Sequence, residues 1–304
     1  MGLAGLGLTA RAAAPLFPGV FRAPAYFTEL WVALGLLAFV LLLVLYLLKL
    51  FFHPGNVKAE FTNPAQIGFC AALPVGMTLV AGGIAPYLPP VAEVLWWSGV
   101  VLLAAFQLWA LYRIWRGIAL ARINPGWMIL FIGGIVVPGS GIALGHADAS
   151  RVMLGLGTAA APLVIGFLIY RALKAPALPE ALRPSWFILL VAPSLIYAHG
   201  VTLFQGFYFL EYLFPLGIAL AIGLLVYARN LFRWPFGAAW WSFTFPLDAL
   251  AYAAARYAQS HPSMLWKSVA GIAILLATLF VAGILVRTLL SPSAILRSAS
   301  SPAA

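Results

Sequence analysis

Residues 240–250, WWSFTFPLDAL, bring a phenylalanine, a proline and a carboxylate within four positions of one another in a stretch with no other charge. Phe245 directly precedes Pro246. A large apolar ring at a helix bend either packs into the surrounding bundle or fills the axis between helices, where a rotamer change would open a path. Asp248 differs from Glu29, Glu60, Glu93, Asp148, Glu180 and Glu211, which fall at segment ends or in loops. Ionising a carboxyl in a dry helical bundle is costly unless it is hydrated, paired or protonated, so Asp248 reads as a helix-to-helix hydrogen-bonding group or as a proton relay. His199 carries the same two readings, an interhelical donor or a proton site.

Enzymatic chemistry has little to work with. Gly139, Ser140 and Gly141 with the distant His199 invite comparison with a serine–histidine membrane protease, but a nucleophile needs a base within hydrogen-bond reach and an oxyanion hole. A glycine-flanked serine just after Pro138 is equally expected where a helix bends and packs closely. No HExxH, repeated aspartate motif or Walker sequence is present, and Cys70 is the single cysteine, which excludes a cysteine-cluster metal site and an intrachain disulfide. No catalytic residue, metal or cofactor is expected.

These residues sit on a repeat. Paired prolines recur at intervals of roughly fifty to sixty residues: Pro64 with Pro74, Pro125 with Pro138, Pro184 with Pro193, and Pro235 with Pro246. Proline is tolerated in a helix's first turn, but deeper in it removes a hydrogen bond and clashes with the preceding turn. Each repeat therefore predicts a helix that starts near its first proline and bends at its second, so that Pro74, Pro138, Pro193 and Pro246 shape a lining. Gly76, Gly82, Gly83, Gly133, Gly134, Gly139 and Gly141 on the same helices allow backbones to approach closely.

With 64% hydrophobic and 8% charged residues over 304 positions and a mean hydropathy of +1.04, the chain reads as an integral membrane protein. Its near-continuous apolar runs are helical rather than the alternating strands of a barrel. Nine full spans are predicted near 28–52, 64–86, 91–116, 126–144, 151–173, 184–204, 209–229, 238–258 and 267–289. Residues 1–14 form a tenth that reaches only about 21 Å against a hydrocarbon core of about 30 Å, as if the chain begins inside its first helix. No basic region precedes this stretch, so it does not read as a signal peptide, and Leu6 breaks the myristoylation pattern. The expected architecture is all-α: ten transmembrane helices as five hairpins about a quasi-fivefold axis, odd helices inside around a central pore, even helices outside. One domain covers 1–290, and 291–304 forms a disordered cytoplasmic tail.

The net charge of +10 has no basic block interleaved with aromatics, so nucleic acid is not an expected partner. Topology accounts for it. Lys49, Lys58, Arg113, Arg116, Arg122, Arg171, Lys174, Arg183, Arg229, Arg233, Arg287 and Arg297 follow even-numbered helices, whereas Arg11, Arg22, Arg151, Arg256 and Lys267 fall on the other side. The positive-inside rule then places both termini in the cytoplasm of a bacterial-type inner membrane. No lysine or arginine falls at a predicted span centre, so the sequence offers no fixed cationic site within a span.

The WWSFTFP motif resembles the ninth helix of the tellurite-resistance and C4-dicarboxylate transporter family, which includes plant guard-cell slow anion channels. MGLAGLG at 1–7 is similar to the second half of that family's first helix, and NPAQIGFCAALPVGMTLVA at 63–81 to its third. The resemblance implies that Phe245 is the pore-occluding aromatic, that the chain is a gated channel for small monovalent anions, and that it forms a homotrimer with one pore per subunit in the lipid bilayer. The alternative within the resemblance is a proton-coupled carrier of C4-dicarboxylates or oxyanions such as tellurite, using Asp248 and His199.

Overall fold

The computed structural model describes residues 1–21, 26–118 and 123–293, and among them every regular element is helical. The architecture is carried by α1 (Gly2–Ala13), α2 (Tyr26–Phe52), α3 (Ile67–Ile84), α4 (Pro89–Trp115), α5 (Gly126–Gly141), α6 (Ala147–Lys174), α7 (Glu180–Leu203), α8 (Tyr208–Tyr227), α9 (Thr244–Ser260, entered through 3₁₀ turns at Ala238–Phe243) and α10 (Met264–Leu290). Seven of these, α2, α3, α4, α6, α7, α8 and α10, are long and apolar enough to cross a membrane, so the protein is a multi-pass membrane protein. Length alone therefore gives fewer crossings than the ten predicted. α1 has 12 residues, α5 is a shorter apolar helix, and the α-helical part of α9 has 17. A short helix, Pro54–Thr62, occupies the connection between α2 and α3. Arg22, Arg122 and the predicted tail beyond residue 293 lie outside the described residues.

The chain forms two compact units, Trp31–Pro176 with Met1, and Gly2–Leu30 with Ala177–Ala304. Within each, proline-marked helices are buried and smooth ones are exposed. α3 and α7 bury 72% and 78% of their most apolar stretch, against 17–33% for α2, α4, α6, α8 and α10. Apolar side chains left on the surface of such helices face hydrocarbon at no penalty, so the second group has the character of a lipid-facing wall.

At each second proline the helix changes. α3 is interrupted at Ala71 and resumes at Ala72, two residues before Pro74; α7 runs as 3₁₀ over Glu180–Leu190 and becomes α at Val191, two before Pro193; the 3₁₀ lead-in of α9 becomes α at Thr244, two before Pro246. In α5 a 3₁₀ turn at Gly133–Ile135 gives way to an α-helical turn that starts at Pro138 itself. The cause is local: proline has no N–H for the carbonyl four residues back and its ring crowds that carbonyl, so the preceding turns tighten. Pro162, by contrast, lies inside α6, which continues through it as an unbroken helix of 28 residues.

Carbonyls near a break still need donors in a medium without water. In the first unit α4 supplies them to α5: Trp96 Nε1 donates to the Val137 carbonyl at 3.1 Å and Gln107 Nε2 to that of Leu130 at 3.0 Å. The starts of α3 and α5 are joined by Asn124 Nδ2 donating to Ala65 O (2.8 Å) and Trp127 Nε1 to Pro64 O (2.8 Å). In the second unit the 3₁₀ parts of α7 and α9 pack side by side through Phe187 and Phe243, whose centroids are 4.6 Å apart at 69°.

Candidate functional site

In the second unit α1 and α9 run together over their length, because α1 presents small residues at Gly2, Gly5, Thr9 and Ala12, spaced three or four apart on one face. A Cβ on Gly2 would fall 2.2 Å from Thr244 Oγ1; one on Gly5 would fall 2.8 Å from Asp248 Oδ2 and 3.1 Å from Phe245 Cδ2. Further along, Thr9 Oγ1 donates to the Asp248 carbonyl at 3.1 Å and Gln259 Nε2 to the Ala12 carbonyl at 2.6 Å. Phe245 and Asp248 are therefore held directly beneath the glycine face of α1.

Phe245 is buried, yet among the described residues it makes no ring pair. Phe243, two positions earlier, packs against Phe187, Trp234, Trp240 and Phe280 with centroids 4.6 to 6.3 Å away. The α-helical turn that begins at Thr244, fixed by Thr244 Oγ1 donating to Trp241 O at 2.7 Å, separates the two rings. Phe243 serves the packing of the α7–α9 pair, and the Phe245 ring lies against Gly5 of α1.

Asp248 is 1% exposed, and neither carboxyl oxygen finds a hydrogen-bond partner among the described residues. Of its two readings, hydrogen-bonding group or proton relay, the first finds no side-chain partner among the described residues. Only its backbone carbonyl is engaged, by Thr9. His199, also buried, lies with its ring 5.6 Å from that of Tyr252, one turn beyond Asp248 on α9. The two residues considered as a proton pair are thus not hydrogen-bonded to each other.

All four second prolines are buried, but two of them approach the exposed helices. The Pro74 carbonyl lies 2.8 Å from where a Cβ on Gly99 of α4 would stand, and Pro193 Cβ is 3.8 Å from the same construction at Gly217 of α8. Their common structural effect is to break the helices that carry them. Of the glycines predicted to let backbones approach, Gly134 does so, since a Cβ there would fall 2.7 Å from the Met153 carbonyl oxygen; Gly83, Gly133 and Gly141 are closed in by side chains instead, and Gly76 meets only ordinary contact distances, from 3.8 Å to Phe39. Sequence reasoning missed Gly2 and Gly5, whose spacing on one helical face was the available signal. Ser140 donates to the Thr78 carbonyl at 2.7 Å, which uses its proton to join α5 to α3.

Comparison with known proteins follows the same helices. Residues 1–289 match the family model described as a voltage-dependent anion channel. The chain is 26% identical over 273 residues to the S-type anion channel SLAH3 of Arabidopsis thaliana, covering 86% of this chain and 43% of that protein. To the guard cell S-type anion channel SLAC1 of the same plant it is 25% identical over 253 residues, 81% of this chain and 46% of the other. A tellurite resistance protein TehA homolog of Haemophilus influenzae is 26% identical over 158 residues, 50% of this chain and 45% of the other. The chain spans less than half the length of both plant relatives.

Proposed function

The chain belongs to the voltage-dependent anion channel family, and we propose that it is a gated channel for small monovalent anions in which Phe245 occludes a narrow pore. In this reading α1, α3, α5, α7 and α9 surround a common axis in quasi-fivefold order, the smooth helices form the outer wall, both termini are cytoplasmic, and three copies assemble with one pore each in a bacterial-type inner membrane. The observation that carries it is the setting of Phe245: a buried ring at the start of the α-helical part of α9, against Gly5, without the aromatic partners that hold Phe243. An apolar ring in a narrow path excludes water and ions until it rotates away. The relatives named for anion channels support the substrate class.

A second reading is favoured by one observation, the Asp248 carboxyl buried without a donor. Such a group suits a proton-coupled carrier of C4-dicarboxylates or oxyanions such as tellurite. Voltage-clamped bilayers at equal pH on both sides separate the two. The channel reading expects Phe245→Ala to pass chloride current well above wild type and Asp248→Asn to leave that current standing. Small, proton-dependent flux abolished by Asp248→Asn would establish the carrier.

A further inference from the structure

We propose that Arg256 is an anion-capture site at the Ser260 end of α9, where its guanidinium donates hydrogen bonds to a small monovalent anion such as nitrate or chloride. The proposal rests on the anion-transport reading and adds a fixed cation where charge counting assigned only a topological role.

Arg256 is partly buried on a buried helix, and its two hydrogen-bond partners are neutral. Nη2 donates to Thr202 Oγ1 of α7 at 3.0 Å, and Nη1 donates weakly to Gln259 Oε1 at 3.4 Å. Gln259 is itself oriented, since its Nε2 donates to the Ala12 carbonyl of α1 at 2.6 Å and so turns Oε1 toward the guanidinium. The fork is held among α1, α7 and α9. Among the described residues no carboxylate stands within 4.0 Å of it. Arg11 on α1 shows the contrast: its Nη2 lies 3.0 Å from Glu29 Oε2 and 3.2 Å from Oε1, so its charge is answered internally. Glu211, whose partner His261 directly follows Ser260, faces His261 Nε2 at 3.5 Å.

Guanidinium stays charged at any physiological pH and has five N–H donors in a rigid plane, of which two are used here. A partly desolvated cation with no internal counter-ion attracts an external one, and charge-assisted hydrogen bonds are the strong kind. Eleven residues of helix separate Arg256 from Phe245, about 16 Å along the axis. The captured anion would therefore wait at the mouth and leave the gate free.

The test reads binding directly and needs no current. In the purified full-length protein in nanodiscs, the melting temperature is followed as nitrate replaces gluconate at constant ionic strength. Wild type should be stabilised by nitrate, Arg256→Gln should shift the half-effective concentration upward by about tenfold, and Arg256→Lys should recover part of it. Thr202→Val removes the strut and keeps the charge, so it should retain the nitrate response. Wild-type nitrate dependence in Arg256→Gln, no response in wild type, or loss of the response in Thr202→Val equal to that in Arg256→Gln would overturn the site. A silent Phe245→Ala channel would reject the gate while leaving this readout intact.

Discussion

Phe243 and Phe245 stand two positions apart in one run and have opposite surroundings. The first is enclosed by four aromatic rings, and the second meets a glycine. Gly5 is what makes room for the ring, so enlarging it should be felt at Phe245 and Asp248 together. Gly5→Val is expected to destabilise the protein by about 1–3 kcal/mol through overpacking, read as a lowered melting temperature, with Gly55→Val as a control because nothing lies within 4 Å of that position. An unchanged melting temperature for Gly5→Val would deny the close contact of α1 with α9. At this scale the sequence identified Phe245 and Asp248 through their neighbours in WWSFTFPLDAL. It did not identify Gly5 or the Thr202 strut of Arg256, because their partners lie more than two hundred and some fifty residues away; the small-residue spacing of α1 marks a close-packed face but not what packs against it. The unpartnered carboxyl of Asp248 also could not be read, since a side chain's donors depend on which helix packs above it.

The helices were the most legible level. Apolar length placed the spans close to where they lie, and proline chemistry explains why the second mark of each pair coincides with an interruption or a passage from 3₁₀ to α helix. What composition could not separate is a proline that breaks a helix from one that does not. Pro162 sits within the continuous α6, while Pro246 follows the transition of α9 by two residues. The two sites should respond differently to alanine. Pro246→Ala supplies the missing N–H to the Ser242 carbonyl, lets α geometry extend back toward residue 238, and so re-aims Phe245; its anion current in a bilayer should exceed that of wild type. Pro162→Ala should leave current unchanged and raise the melting temperature. Equal currents from Pro246→Ala and wild type would mean that the break does not aim the ring.

The whole molecule combines two kinds of helix, buried ones broken at proline and exposed smooth ones, in two compact units that together match one channel family over residues 1–289. The membrane class was legible because hydropathy does not depend on particular residues, and the family because the resemblance of a short aromatic motif agrees with a family match over residues 1–289. The number of crossings was less so. Length alone counts seven helices, and the proposed ring of five needs the 12-residue α1 and the divided α9 as full members. The central claim is that the ring at position 245 closes a path through that ring of helices. It is tested most directly by single-channel recording of Phe245 replaced in turn by Leu, Val, Ala and Gly, in symmetrical chloride at one pH. Conductance should rise as the side chain shrinks, with Gly highest and wild type nearly closed. Currents equal to wild type across the whole series, from protein folded and inserted to the same level, would contradict it.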